Sequence, residues 1–281
     1  MKKALALILA AAMACSLVLT GCGGGTSTTG SASTGAAAGA KSLTLATGGT
    51  TGTYYAVGGV MQSVLNPKLT LSQLNVTSTG ASKANIALVC DNEVQVAIVQ
   101  NDVMDYAYNG TDLFDGEKME GFSSMAACYA EVCQVVANPA AGINSIADLA
   151  GKNVSVGDAG SGVEFNTRQI LEAYGLTFDD IKVQNLGFGD SANALKDGKI
   201  DAFFCTAGTE LATTNDIVIL NVDGEEAAAL IEKYPFYTSY DIPADTYKGM
   251  TEPATTVAVK ATLIVANSLS EDLVYNMTKT L

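Results

Sequence analysis

The sequence predicts an α/β protein of two similar lobes, each a mixed sheet with flanking helices, and three observations predict it. A strand, a glycine-rich loop and a helix follow one another at residues 43–65. The same plan returns at 153–174. Behind each copy comes a short helix, a polar turn and an apolar strand, at 80–99 and again at 189–205.

The first copy opens on Leu43-Thr44-Leu45-Ala46, an alternating run that reads as a strand. The loop that follows reads TGGTTGTYYAVGG at 47–59, and apolar spacing from 54 to 65, unbroken before Pro67, predicts a helix. Glycines let a backbone approach a ligand closely, and the first N–H groups of a helix have no partners within it. The loop lacks the Gly-Lys-Ser/Thr ending of a phosphate loop and matches the dinucleotide fingerprint poorly, so a polar or anionic ligand is the better reading. In the second copy, 153–156 is the strand, GDAGSG at 157–162 the loop and 163–174 the helix. Ser161 and Glu164 have capping-box spacing, which starts that helix at Ser161 and gives Glu164 a structural duty that competes with ligand contact.

The echo behind the loops supports duplication. Residues 80–88, GASKANIAL, lead through Asp91-Asn92-Glu93 into the strand 94–99. Residues 189–195, GDSANAL, lead through Asp197-Gly198-Lys199 into the strand 200–205. The first strand runs into Gln100-Asn101-Asp102, the second into Thr206-Ala207-Gly208-Thr209. Ligands of open α/β sheets sit beyond the carboxyl ends of the strands, so two such ends facing each other make a cleft. The run YAEVCQVVA at 129–137 reads as the first crossing between lobes, with the return expected shortly after Gly208. Residues 42–130 and 210–281 are then one lobe and 131–209 the other. Residues 255–266 are rich in β-branched side chains and interrupted by Lys260, which reads as a strand, and 269–281 reads as an amphipathic helix.

The first 21 residues read as a signal peptide: Lys2 and Lys3, an apolar run, then Leu19-Thr20-Gly21-Cys22. A cysteine directly after Leu-Thr-Gly resembles the bacterial lipoprotein signal, which implies lipidation at Cys22. Residues 22–41 form a small-residue stretch that reads as a flexible tether. About 240 residues then remain, enough for one large or two medium domains. The net charge of −14 gives no basic stripe, so nucleic acid is not an expected partner.

Absent residues narrow the chemistry. The chain has no histidine, which removes Ser-His-Asp and Cys-His catalysis and every imidazole-bound zinc. No metal, cofactor or catalytic residue is expected. Arg168 is the only arginine, and two roles are open to it: ligand contact, or a surface pair with Glu164 or Glu172. Cys90, Cys128, Cys133 and Cys205 lie beyond the signal and tether. Buried thiols are the main reading, with disulfides permitted by an extracytoplasmic compartment.

Ordered blocks now point to a family: TGGTTGTYYAVGG at 47–59, TSTGASKANIALV at 77–89, VQVAIVQND at 94–102, SIADLAGKNVSVGDAGSGVEFNTRQILEAYGL at 145–176, DGKIDAFFCTAGT at 197–209 and YPFYTSYDIPADTY at 234–247. From 43 to 281 the chain resembles the TAXI group of solute receptors from tripartite ATP-independent periplasmic (TRAP) transporters. The resemblance implies a two-lobed fold like the type II periplasmic binding proteins, an interlobe ligand cleft, and delivery to a TRAP permease driven by an ion gradient. Receptors of this type usually continue past this point with further helical sequence.

Carried over by position, the resemblance implies a cleft lined by Gly49, Thr50, Thr51, Gly52, Thr53 and Tyr54; by Thr79, Gly80, Ala81 and Ser82; by Gln100 and Asn101; and, from the second lobe, by Gly160, Ser161, Gly162, Thr206, Ala207 and Gly208. Tyr54 and Tyr55 compete to cover the ligand, core packing being the other role for Tyr54. Asp102 is open to ligand contact or helix capping. The expected ligand is a small carboxylate, either an acidic or amide amino acid or an organic acid. The expected protein is a monomer held on the outer face of the cytoplasmic membrane by its lipid. Alternatives are a receptor of an ATP-driven importer, a lipid-anchored ligand sensor, and a secreted enzyme using a carboxylate pair or Ser-Lys base, for which no such pair is placed in the cleft.

Overall fold

A computed structural model of the protein describes residues 41–208, 217–248 and 250–281. The expected signal peptide, Cys22 and nearly all of the expected tether lie outside them.

The first sheet holds β1 (Lys41–Ala46), β2 (Ser72–Thr77) and β3 (Val96–Gln100), with β1 central and parallel to both neighbours. The helices between them are α1 (Thr53–Leu65), α2 (Ser82–Cys90) and, after β3, α3 (Asn101–Asn109). The second sheet repeats the plan: β6 (Asn153–Ser155) is central and parallel to β7 (Lys182–Gln184) and β8 (Ala202–Cys205), with α4 (Gly162–Ala173) and α5 (Phe188–Lys196) as connections. Each three-strand unit then gains an antiparallel neighbour from elsewhere in the chain. In the first sheet β11 (Ala254–Ala266) lies beside β3; in the second, β5 (Gln134–Ala137) lies beside β8. Shared strand order is what a duplicated sequence plan should produce.

The chain passes from the first sheet to the second at Cys133. β4 (Phe122–Val132) pairs β11 in the first sheet, Cys133 breaks the ladder, and β5 continues in the second. The Cys133 N–H donates to Val257 O (2.9 Å) and Thr256 Oγ1 donates to Cys133 O (2.5 Å), tying both strands together at the break. The return comes later than the expected position after Gly208. β9 (Val218–Leu220) still pairs β5, and α6 (Gly224–Lys233) packs beside α4 in the second lobe's core. Only β10 (Thr238–Ile242) regains the first sheet, pairing β11. The physical reason is in β11, whose Val257 and Val259 join the second core while Ala261, Leu263 and Val265 join the first. One long strand therefore serves both lobes.

Local chemistry explains the ends of the helices that matter. α4 starts at Ser161, whose Oγ accepts from the Glu164 N–H (3.3 Å). The reciprocal half of the expected capping box shifts by one residue, because Glu164 Oε2 accepts from the Gly160 N–H (2.6 Å) instead. α3 stops at Gly110, which takes φ +68°, a left-handed turn that glycine adopts without a Cβ clash. The last helix, α7 (Glu271–Thr280), covers the first lobe with Met277, Leu273 and Val274. No helix among the described residues is long and apolar enough to cross a membrane.

Candidate functional site

The carboxyl ends of the two parallel strand sets face each other, and a cavity of about 50 Å³ lies between them. That is several times the roughly 10–15 Å³ one water needs. Five helices begin on its wall. α1 contributes Gly52, Thr53 and Tyr54; α2 contributes Ala81 and Ser82; α3 contributes its N-cap Gln100; α4 contributes Ser161, Gly162 and Val163; α5 contributes Phe188. Helix starts carry unpaired N–H groups and the positive end of the peptide dipoles, so the wall favours an anionic group without an arginine. At the start of α2, Ala81 has φ +66° and ψ −143°, a conformation L residues rarely adopt. Backbone held that way costs on the order of 1–3 kcal/mol and marks a site the surroundings enforce.

Of the residues named from the sequence, the wall takes Gly49, Thr51, Gly52, Thr53, Tyr54, Ala81, Ser82, Gln100, Ser161, Gly162 and Thr206. The others stand behind it. Thr79 Oγ1 donates to Thr47 O (2.7 Å) and accepts from the Ala81 N–H (3.1 Å), so it shapes the turn that leads into α2. Asn101 Oδ1 accepts from the Lys260 N–H (2.8 Å), fastening α3 to β11. Gly160 O accepts from the Lys83 N–H (3.1 Å), a backbone bond between the lobes. Ala207 O accepts from Gln134 Nε2 (3.5 Å), Gly208 lies beside Tyr247, and Thr50 and Gly80 are off the wall. Arg168 pairs with Glu164 (2.9 Å) and stacks over Phe178, its guanidinium carbon 3.9 Å from the ring centre, so the salt-bridge role is the one it fills.

Sequence reasoning missed the residue at the floor. Glu131, 2 % exposed in the crossing strand β4, lines the cavity. Its Oε1 accepts from Tyr54 OH (2.5 Å) and its Oε2 from Gln100 Nε2 (3.2 Å). Burial pushes its carboxyl up to about 7, against the lowering effect of the Tyr54, Gln100 and Thr206 donors. Tyr54, expected to cover the ligand or pack in the core, does part of each: it is buried, lines the wall and holds Glu131. Asp158, missed in the second loop, also lines the cavity, its carboxyl raised by burial and then by Asp190. Tyr129 and Phe188 add aromatic surface. Two buried atoms of wall residues, Gln100 Oε1 and Tyr129 OH, have no hydrogen-bond partner among the described residues.

The cysteines hold no disulfide among the described residues. Cys90, Cys128 and Cys133 carry free thiols, and Cys205 Sγ donates to Ala207 O (3.5 Å). No group of three or more metal-ligating side chains occurs among the described residues.

The fold is that of solved periplasmic binding proteins. It superposes on the alkanesulfonate-binding protein SsuA of Xanthomonas axonopodis pv. citri with a TM-score of 0.54 at 12 % identity, covering 85 % of this chain and 72 % of that one. The substrate-binding protein of an amino acid ABC transporter gives 0.52 at 13 %, covering 85 % and 91 %. A putative L-cystine ABC transporter protein of Listeria monocytogenes gives 0.52 at 15 %, covering 85 % and 88 %. These likenesses establish architecture. At the level of sequence, the NMT1-like family model matches residues 45–281, and the chain belongs to the NMT1-like family.

Proposed function

We propose that this protein is an extracytoplasmic solute receptor that closes its two lobes over a small carboxylate and delivers it to a membrane permease. The observation that carries the reading is the wall itself: five helix starts converge on one cavity between lobes. The unpartnered Gln100 Oε1 and Tyr129 OH support it, since buried polar atoms in native folds nearly always have partners and a ligand would provide them. Helix starts favour the acid group of the ligand. Asp158 and Gln100 Oε1 are acceptors, and no cationic side chain among the described residues lies on the wall. An amino acid, whose ammonium meets those acceptors, therefore fits better than an organic acid without one.

A screen of small carboxylates by thermal denaturation tests this. A ligand at 100 times its Kd adds about 2.7 kcal/mol to apparent stability. At the ~2–4 °C per kcal/mol of a chain this size, the melting temperature rises by roughly 5–10 °C. Amino acids are expected to score above their 2-oxo acid analogues. Binding of apolar or cationic compounds alone defeats the carboxylate reading.

Resemblance to TAXI receptors supports a TRAP permease as the partner. The fold likeness to binding proteins of ATP-driven importers supports the second reading. Ligand uptake by cells that survives ATP depletion but collapses with the ion gradient selects the first. Anchoring at Cys22 is part of the proposal: Cys22→Ser is expected to free the protein from membranes or leave it unprocessed. A variant that stays membrane-bound at normal mature mass removes the anchor.

A further inference from the structure

Two carboxyl groups lie buried in the seam where the lobes meet, joined by a single hydrogen-bonded chain. Asp102, 0 % exposed at the second position of α3, accepts at Oδ2 from Asn166 Nδ2 of α4 (3.2 Å). Asn166 Oδ1 accepts from Gln100 Nε2 (2.9 Å), and the same Nε2 donates to Glu131 Oε2 (3.2 Å). The chain Glu131–Gln100–Asn166–Asp102 thus passes from the crossing strand to the end of β3, over to the second lobe on α4, and back to the first on α3. Asp102 Oδ1 has no partner among the described residues.

Nothing cationic faces either carboxyl among the described residues. Around Asp102 stand Glu131 from β4, Asp112 from the turn after α3, Tyr106 from α3, Tyr237 ahead of β10, and the Cys133 thiol. Around Glu131 stand Tyr54 from α1, Tyr129 and Cys128 from β4, Gln100, Thr206 and Cys133. The nearby bases are engaged elsewhere: Arg168 with Glu164, and Lys83 Nζ with Leu113 O (2.6 Å). A buried carboxylate without a cation is costly, and a proton removes the cost. A parting of the lobes would withdraw Asn166 with α4 and admit water to the start of α3. There a carboxylate in the first helical turn is stabilised.

We propose that lobe closure is proton-linked: the Asp102–Asn166–Gln100–Glu131 seam takes up protons as it shuts, so the receptor closes most firmly on the acidic side of neutrality. The inference rests on the reading of the cavity as a closing ligand site and names its regulation. Burial, opposed by the Val103 N–H and reinforced by Glu131, raises the Asp102 carboxyl from 3.8 to about 7. A carboxyl raised in the closed form favours closure fully below its open-form value, and that advantage disappears as pH climbs to about 7. The closed-to-open ratio is then expected to fall about tenfold per pH unit for each group between roughly pH 4 and 7, and to level off above.

The test needs no ligand. Small-angle scattering of the full chain at about pH 5.5 and about pH 8.5 compares the wild type with Asp102→Asn and Glu131→Gln, which keep shape without a titrating proton. The wild type is expected to have the larger radius of gyration at the higher pH, and the double variant a radius that no longer responds. Circular dichroism melts confirm that each variant is folded, and Asp102→Asn alone replaces the double variant if that one is not. A wild-type radius unchanged between the two pH values overturns the proposal, as does a folded variant that keeps the full response. Ligand binding with a pH-insensitive radius defeats only this inference, whereas a failed ligand screen beside a pH-dependent radius defeats only the carboxylate reading.

Discussion

Gly162→Ala is expected to leave both lobes folded and to weaken binding of the proposed ligand about 10- to 100-fold. The three atoms nearest a Cβ built at Gly162 all belong to Gln100, and its Cδ and Oε1 would overlap that Cβ. Gln100 cannot swing aside. It is 1 % exposed, its Nε2 is held by Glu131 and Asn166, and its backbone N–H donates to Ser82 Oγ (3.1 Å). Gly162 belongs to α4 of the second lobe and Gln100 to β3 of the first, so the clash exists only when the lobes are shut. Overpacking of this kind costs ~1–3 kcal/mol, and each ~1.4 kcal/mol is tenfold in affinity. Titration calorimetry with the ligand identified by mass spectrometry reads the loss, and scattering reads a larger radius of gyration. Gly59→Ala is the control, since nothing lies within 4 Å of a Cβ there. Unchanged affinity and radius in the Gly162 variant would falsify the claim that this glycine permits closure.

The duplicated plan was legible because each part of it is local. A strand, a glycine-rich loop and a helix start are contiguous, so β1 with α1 and β6 with α4 could be read directly, whereas β2 and β7, which flank those strands in the sheets, carried no such local signal. The parts of the cavity built by helix starts were legible for the same reason. Glu131 was not. Its donors Tyr54 and Gln100 lie 77 and 31 residues away in sequence, and a lone acid in an apolar crossing strand reads as a solvent-facing position. Asn166 and Gln169 left a fainter signal: polar residues three apart on α4, which the helix turns to one face. That face is buried, with Gln169 Nε2 donating to Tyr106 OH (3.1 Å) and Asn166 Nδ2 to Tyr237 OH (2.8 Å). Helical spacing announces a stripe but not what will cover it. Thr79 and Asn101 failed in the opposite sense. Each sits beside the cleft in sequence, yet its side-chain oxygen accepts from a backbone N–H, that of Ala81 at the start of α2 for Thr79 and that of Lys260 in β11 for Asn101.

Phe165→Ala is expected to cost ~3–5 kcal/mol, the range for deleting a buried aromatic ring, and to take that cost mainly from the closed form. Phe165 is fully buried and sits on α4 of the second lobe, but its ring packs in the first lobe's core. It stacks on Tyr106 with centroids 6.0 Å apart and planes 15° from parallel, and Phe114 lies 6.1 Å away. Removing the ring takes the apolar half out of a seam whose polar half is the Gln100–Asn166–Asp102 chain. The remaining hydrogen bonds exchange readily with water and contribute only ~0.5–1.5 kcal/mol each. The lobes should therefore separate before either core melts. Phe203→Ala gives the contrast: Phe203 is as deeply buried, but in a cluster whose buried residues all belong to the second lobe. Both variants should melt at lower temperature, while only Phe165→Ala should expand the radius of gyration at room temperature and weaken binding. If Phe165→Ala lowers the melting temperature but keeps the wild-type radius and affinity, α4 is held to the first lobe by something other than this ring, and the seam is a static interface rather than one that opens.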